Sequence, residues 1–151
     1  MTGLTPQEQF YLALGRFIYE WGQLELVLDL LMLLTETDRD AKRPLSHQLE
    51  AKIERIRCYV RGSDREAEIS VLMDDIFAHA ETRHDFVHGA VVHHRVEDSG
   101  LKVTLGRLAQ PNRRQRRKPV EVTPGEITAA AERVSQLVDR VDKLLEHAKT
   151  D

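Results

Sequence analysis

A single cysteine, Cys58, in 151 residues leaves no intramolecular disulfide to staple the fold, and a lone thiol among polar residues fits a reducing cytosol. It falls in a helical pattern and reads as a packing residue. Aromatic residues are few, and none follows Phe86, so base stacking is not expected from the C-terminal part of the chain. The longest apolar stretch, residues 24–34, is broken by Glu25 and Asp29 and is too short to cross a bilayer, so no membrane association is expected. The first six residues have neither a basic n-region nor an apolar h-region, so no secretory signal is expected there. No glycine-rich phosphate loop, nucleophile elbow or dinucleotide fingerprint occurs, and no cofactor is implied.

What is present fits one globular domain over residues 1–151, soluble and cytoplasmic, with 41% apolar and 31% charged residues. The net charge of −3 conceals an asymmetry. Residues 101–118 hold seven Lys or Arg and no acid, so the remainder carries 15 basic against 25 acidic groups. A concentrated basic segment can bind phosphate through counterion release even on an acidic protein. Histidine is also clustered, with five of the seven between positions 79 and 94.

Thr5-Pro6-Gln7-Glu8 is a capping box with proline at the first helical position, so a helix should begin there. Phe10, Leu14, Phe17, Trp21, Leu24, Leu28 and Leu31 then recur at spacings of three and four, a stripe that faces other helices. Gly15 and Gly22 weaken this helix by roughly 1 kcal/mol each. Residues 35–44 read as a loop. A second helix is expected from about Ser46 to Arg61, with Leu49, Ile53, Ile56 and Val60 inward and Gly62 at its end. Ser63-Asp64-Arg65-Glu66 looks like a further capping box, opening a third helix with Ile69, Leu72, Met73, Ile76, Phe77 and Ala80 inward and Gly89 at or just past its end.

Beyond Gly89 the period changes. Ala90-Val91-Val92 and Leu101-Lys102-Val103-Thr104-Leu105 are β-prone runs around the turn Glu97-Asp98-Ser99-Gly100, which predicts a hairpin. Residues 111–119 are polar and basic and read as a loop, with Val120-Glu121-Val122 a short returning strand. Thr123-Pro124-Gly125-Glu126 repeats the opening cap, and a last helix follows with Ile127, Ala131, Val134, Val138, Val141, Leu144 or Leu145, and Ala148 on one side. The expected fold is all-α, a four-to-five-helix up-down bundle with an inserted β-hairpin and basic loop before the last helix. Long helices with wide apolar faces pair readily, so a homodimer is expected.

The densest chemistry lies in Arg83-His84-Asp85-Phe86-Val87-His88-Gly89. Arg83 and His88 are five apart, and His84 and His88 share a helical face. An arginine near a histidine suits phosphate chemistry, because guanidinium holds the charge while imidazole moves the proton. A metal site at His84 and His88, with His93 or His94, is a second reading; it lacks the C-x-x-C spacing of strong zinc signals, and adjacent strand histidines point to opposite faces. The structural alternative is a surface arginine paired with Glu81 or Asp85 and a histidine favoured by the helix dipole.

The string Arg83 to Gly89 resembles the R-x4-6-H motif of the HEPN (higher eukaryotes and prokaryotes nucleotide-binding) superfamily, whose residue after the arginine is usually polar, here His84. The resemblance extends to the first long helix with Trp21-Gly22-Gln23-Leu24-Glu25 and to the order of helices, covering residues 5–89 and the last helix but not the insertion at about 90–122. It implies a metal-independent endoribonuclease of the toxin or phage-defence type, in which two motifs face one another across a dimer. By that resemblance Arg83 and His88 are the catalytic pair, His84 the polar helper, and Asp85 and Glu25 supporting acids. In-line attack by a ribose 2′-OH needs a proton acceptor and a cation on the phosphoryl oxygens, and leaves a 2′,3′-cyclic phosphate. The RNA grip is assigned to Arg107, Arg113, Arg114, Arg116, Arg117 and Lys118, for which an acidic antitoxin protein is an equally good electrostatic partner. The alternatives are an inactive HEPN-like module that binds nucleic acid, nucleotide or a partner, and a His-rich metal-binding helical protein.

Overall fold

The computed structural model describes residues 3–34, 48–98, 100–106 and 118–148. The element order is α1 (Pro6–Leu34), α2 (Leu49–Val60), α3 (Glu66–His88), β1 (Ala90–Glu97), β2 (Gly100–Gly106), β3 (Val120–Val122) and α4 (Pro124–Ala148). Helices dominate the described residues, but the chain is helix-rich rather than all-α. The expected hairpin and the expected short returning strand Val120–Val122 together form a three-stranded antiparallel sheet of order β1-β2-β3, the returning strand pairing with the second edge of β2.

Both Thr-Pro-x-Glu segments cap helices as their chemistry requires. At α1 the Thr5 amide donates to Glu8 Oε2 at 2.7 Å and the Glu8 amide donates back to Thr5 Oγ1 at 3.3 Å. At α4 the Thr123 amide donates to Glu126 Oε2 at 2.7 Å and the Glu126 amide to Thr123 Oγ1 at 3.2 Å. The Ser63 segment does otherwise. Ser63 Oγ donates to the Val60 carbonyl at 2.7 Å and Glu66 accepts from the Gly62 amide at 2.6 Å, so Ser63 closes α2 instead of opening α3. Gly62 carries the positive φ of +80° that this stop needs. Helix α2 begins at Leu49, after Gln48, and the expected loop at residues 35–44, the expected start at Ser46 and the turn residue Ser99 lie outside the described residues.

The chain divides into two compact units, Met1–Tyr19 with Glu81–Arg133 and Glu20–Ala80 with Val134–Asp151. In the first, the core is built from Phe10, Phe17, Phe86, Ile127 and the inward row of the sheet, Leu101, Val103, Leu105 and Val122, all buried. Register places Val91, His94 and Val96 of β1 opposite Leu105, Val103 and Leu101, yet these three are exposed, so β1 overhangs the covered part of the sheet. The other face carries Arg95, which pairs with Glu97 at 2.8 Å and Glu121 at 3.4 Å, and Lys102, which pairs with Glu97 at 3.1 Å. In the second unit Trp21, Leu24, Leu28, Ile53, Ile56, Val60, Met73, Ile76, Val134 and Val141 are buried. Ion pairs Lys52–Asp29, Arg57–Asp74 and Arg140–Asp75 join its elements.

Some apolar expectations fail or hold only in part, and Leu14, Leu49 and Ala80 are half-buried rather than buried. Phe77 is exposed on α3, Val138 is only half-buried while its neighbour Leu137 takes the inward position on α4, and Cys58 is exposed beside Glu54 and is not a packing residue.

Candidate functional site

Helix α3 delivers the Arg83 to His88 string in its last turns and ends at His88. Two contacts anchor that end. Phe86 is buried with its ring edge-on to Phe17 at 4.8 Å between centroids, which fixes the azimuth of the helix. Gly89 donates its amide to the Asp85 carbonyl at 2.9 Å while the chain turns directly into β1; a Cβ there would lie 2.2 Å from that carbonyl oxygen and 3.2 Å from the Cβ of Leu105. Only a glycine admits this close approach of α3 to β2 without displacement.

With the helix end so held, Arg83 Nη1 reaches His88 Nε2 at 3.3 Å. Guanidinium has donors only, so Nε2 must accept, which assigns the His88 proton in this contact to Nδ1. The ring of His84 lies 4.8 Å from that of His88, tilted by 57°, as the i,i+4 spacing requires. His84 and His88 are exposed, and Arg83 and Asp85 are half-buried. The end of a helix presents partial negative charge, which favours cations and opposes an anion. Arg83 brings a positive charge to this end.

The other assigned residues belong to other elements or lie outside the described residues. Glu25, half-buried, accepts a hydrogen bond from Trp21 Nε1 at 2.8 Å and belongs to the unit that does not hold Arg83 and His88. Lys118 is exposed just before β3. Arg107, Arg113, Arg114, Arg116 and Arg117 lie outside the described residues. His93 pairs in register with Thr104 and His94 with Val103, so they take opposite faces, as expected for neighbours in a strand, and both are exposed. Among the described residues, no group of three or more His, Cys, Asp or Glu is arranged to hold a metal ion. No helix of the described residues is long and apolar enough to cross a membrane.

A groove lined by Gln9, Leu12, Ala13 and Arg16 of α1 and by Pro124, Gly125 and Thr128 of α4 contains none of the assigned residues. Its one charged side chain, Arg16, pairs with Glu132 at 3.7 Å. Sequence reasoning passed over Gly89 as a mere helix stop. The signal that could have marked it is the absence of any linker residue between the helix pattern and the β-prone run. No family model, curated protein or solved structure matches the chain.

Proposed function

We propose that the chain is a HEPN-like, metal-independent endoribonuclease, a helical bundle acting as a homodimer in the cytoplasm, of the kind that serves as a toxin or in phage defence. The observation that carries this reading is the 3.3 Å contact of Arg83 Nη1 with His88 Nε2 at the solvent-facing end of α3. In the reaction, the ribose 2′-oxygen attacks the adjacent phosphorus as the bond to the 5′-oxygen breaks. His88 Nε2, the nitrogen that bears the lone pair, takes the 2′-OH proton, and the leaving 5′-oxygen acquires a proton from solvent. Arg83 turns from His88 to the non-bridging phosphoryl oxygens, where charge grows in the transition state. His84, its ring tilted against that of His88, holds that ring and adds a polar group at the same face. The segment holding Arg107, Arg113, Arg114, Arg116, Arg117 and Lys118 supplies sequence-independent grip on the backbone.

The test is cleavage of single-stranded RNA by purified protein in EDTA, with product ends identified as 2′,3′-cyclic phosphate and 5′-hydroxyl. Arg83→Ala and His88→Ala are each expected to slow cleavage by about 10²-fold or more, the usual worth of a positioned acid–base or charge-stabilising group. Variants that cleave as fast as the parent would overturn the assignment. Salt-sensitive RNA binding with no turnover would assign the chain to the binding modules instead.

A further inference from the structure

Helix α1 carries two apolar faces, and among the described residues only one of them is covered. Phe10, Phe17, Trp21, Leu24, Leu28 and Met32 are buried, whereas Tyr11, Ile18, Leu26 and Leu33, on a separate stripe, are 47–58% exposed. At 100° per residue, positions 11, 15, 18, 22, 26, 29 and 33 fall within one narrow arc, about 33 Å long at 1.5 Å per residue. Tyr11, Gly15, Ile18, Gly22, Leu26, Asp29 and Leu33 occupy it. Asp29 is the one charged residue in the row, and it is neutralised by Lys52 of the same chain. A charged partner would thus find no complement here.

The row has a second property. Its successive spacings are four, three, four, four, three and four residues, a palindrome centred on Gly22. Turned end for end on a second copy, the row superposes on itself: Gly22 meets Gly22, Ile18 meets Leu26, Gly15 meets Asp29 and Tyr11 meets Leu33. The larger side chain, Asp29, falls opposite a glycine, and opposed helix dipoles are favourable. Such self-complementarity is what a two-fold interface demands, since each residue must meet its counterpart twice. The extent also fits. With Leu12, Tyr19 and Leu30 alongside, which are 45–65% exposed, the face offers on the order of 800 Å², the share one partner brings to an interface of standard size. Gly15 and Gly22 are each exposed, and among the described residues nothing beyond the neighbouring residues and the helix's own backbone comes within 4 Å of where a Cβ would stand. Among the described residues no contact calls for glycine at either position, and glycine at the crossing lets two helix axes approach at the short end of the usual 8–10 Å.

We infer that this face of α1 binds α1 of a second copy of the chain, antiparallel and centred on Gly22. The inference stands on α1 alone and gives the homodimer a surface that the arginine and histidine chemistry does not name. Sedimentation equilibrium at tens of micromolar is expected to give twice the chain mass. Leu26→Glu, which places an unpaired carboxylate at both symmetry-related contacts, is expected to raise the dimer dissociation constant by roughly 100-fold or more, with the helical circular dichroism of the parent retained. In a Cys58→Ser background, Gly22→Cys is expected to form a disulfide-linked dimer on mild oxidation while Tyr11→Cys does not. A monomeric parent, a Leu26→Glu variant that dimerises as the parent does, or equal linking through positions 11 and 22 would each overturn it. RNA cleavage is not a readout in any arm: a monomeric parent would also remove the homodimer from the proposed function, whereas a parent-like Leu26→Glu variant or equal linking through positions 11 and 22 would remove only this surface, and the roles of Arg83 and His88 are tested separately.

Discussion

At Gly89 one missing carbon connects the fold to the candidate chemistry. The close approach to the Asp85 carbonyl and to Leu105 lets α3 stop at His88 and the chain enter β1 with no intervening loop. Gly89→Ala must push that carbonyl or the β2 side chain aside, at a cost of about 2 kcal/mol. Thermal unfolding is expected to show a midpoint lower by several degrees, and a midpoint within error of the parent would contradict the geometry. His84 makes a graded comparison with His88. Because it touches the ring and takes no proton, His84→Ala is expected to slow RNA cleavage by about tenfold where His88→Ala slows it by about 10²-fold or more; equal losses would mean that the roles are not distinct. Arg83, His84 and His88 were legible in the sequence because their relations lie within one helix, where spacing dictates proximity. Glu25 has one relation of the same kind. Its hydrogen bond to Trp21 is an i,i+4 relation on its own helix, and nothing in residue spacing reports what lies across space.

The same distinction holds for whole elements. The caps at Thr5 and Thr123 could be read because each box stands alone before a long apolar stripe, whereas Ser63 lies in the five residues between α2 and α3, where two helix ends compete for one hydroxyl. The sheet was legible as strands: alternation marks β2, and the returning strand falls at Val120–Val122 as read, while its pairing with the open edge of β2 is a relation that spacing does not report. Two measurements probe the caps. Thr123→Ala leaves an α4 amide without its side-chain acceptor and is expected to lower stability by about 1 kcal/mol in urea unfolding; no change in the midpoint would show that the box contributes nothing. At α1, hydrogen bonds from the Thr5 amide and then its hydroxyl hold the Glu8 carboxyl below its ordinary value. A carboxylate with a depressed folded value stabilises the fold above its unfolded titration range, and that contribution is lost as pH falls through the folded value. Glu8→Gln is expected to reduce the slope of stability against pH below the ordinary glutamate range and to leave the slope near neutrality unchanged. Equal slopes for parent and variant in acid would show that the cap is not formed by the carboxylate.

For the molecule as a whole, the modest net charge is the sum of two opposed parts. Seven basic residues are concentrated in residues 101–118, and the remaining chain, with Arg83 and His88 in it, carries ten more acids than bases. An acidic body repels RNA at long range, so the proposed ribonuclease reading assigns encounter to the basic segment and chemistry to the end of α3. The two contributions should separate. Each phosphate contact removed from a single strand is expected to lessen the slope of log K against log salt by about 0.7. Replacing Arg113, Arg114, Arg116, Arg117 and Lys118 with Gln is therefore expected to flatten the slope by up to about 3.5. With the protein at saturating concentration in low salt, the same variant should cleave bound RNA at the parental single-turnover rate. Arg83→Ala is expected to do the reverse, changing the salt slope by about one contact or less while the single-turnover rate collapses. If neutralising the basic segment abolishes cleavage of fully bound RNA, grip and chemistry are not divided in this way, and the segment belongs to the reacting site itself.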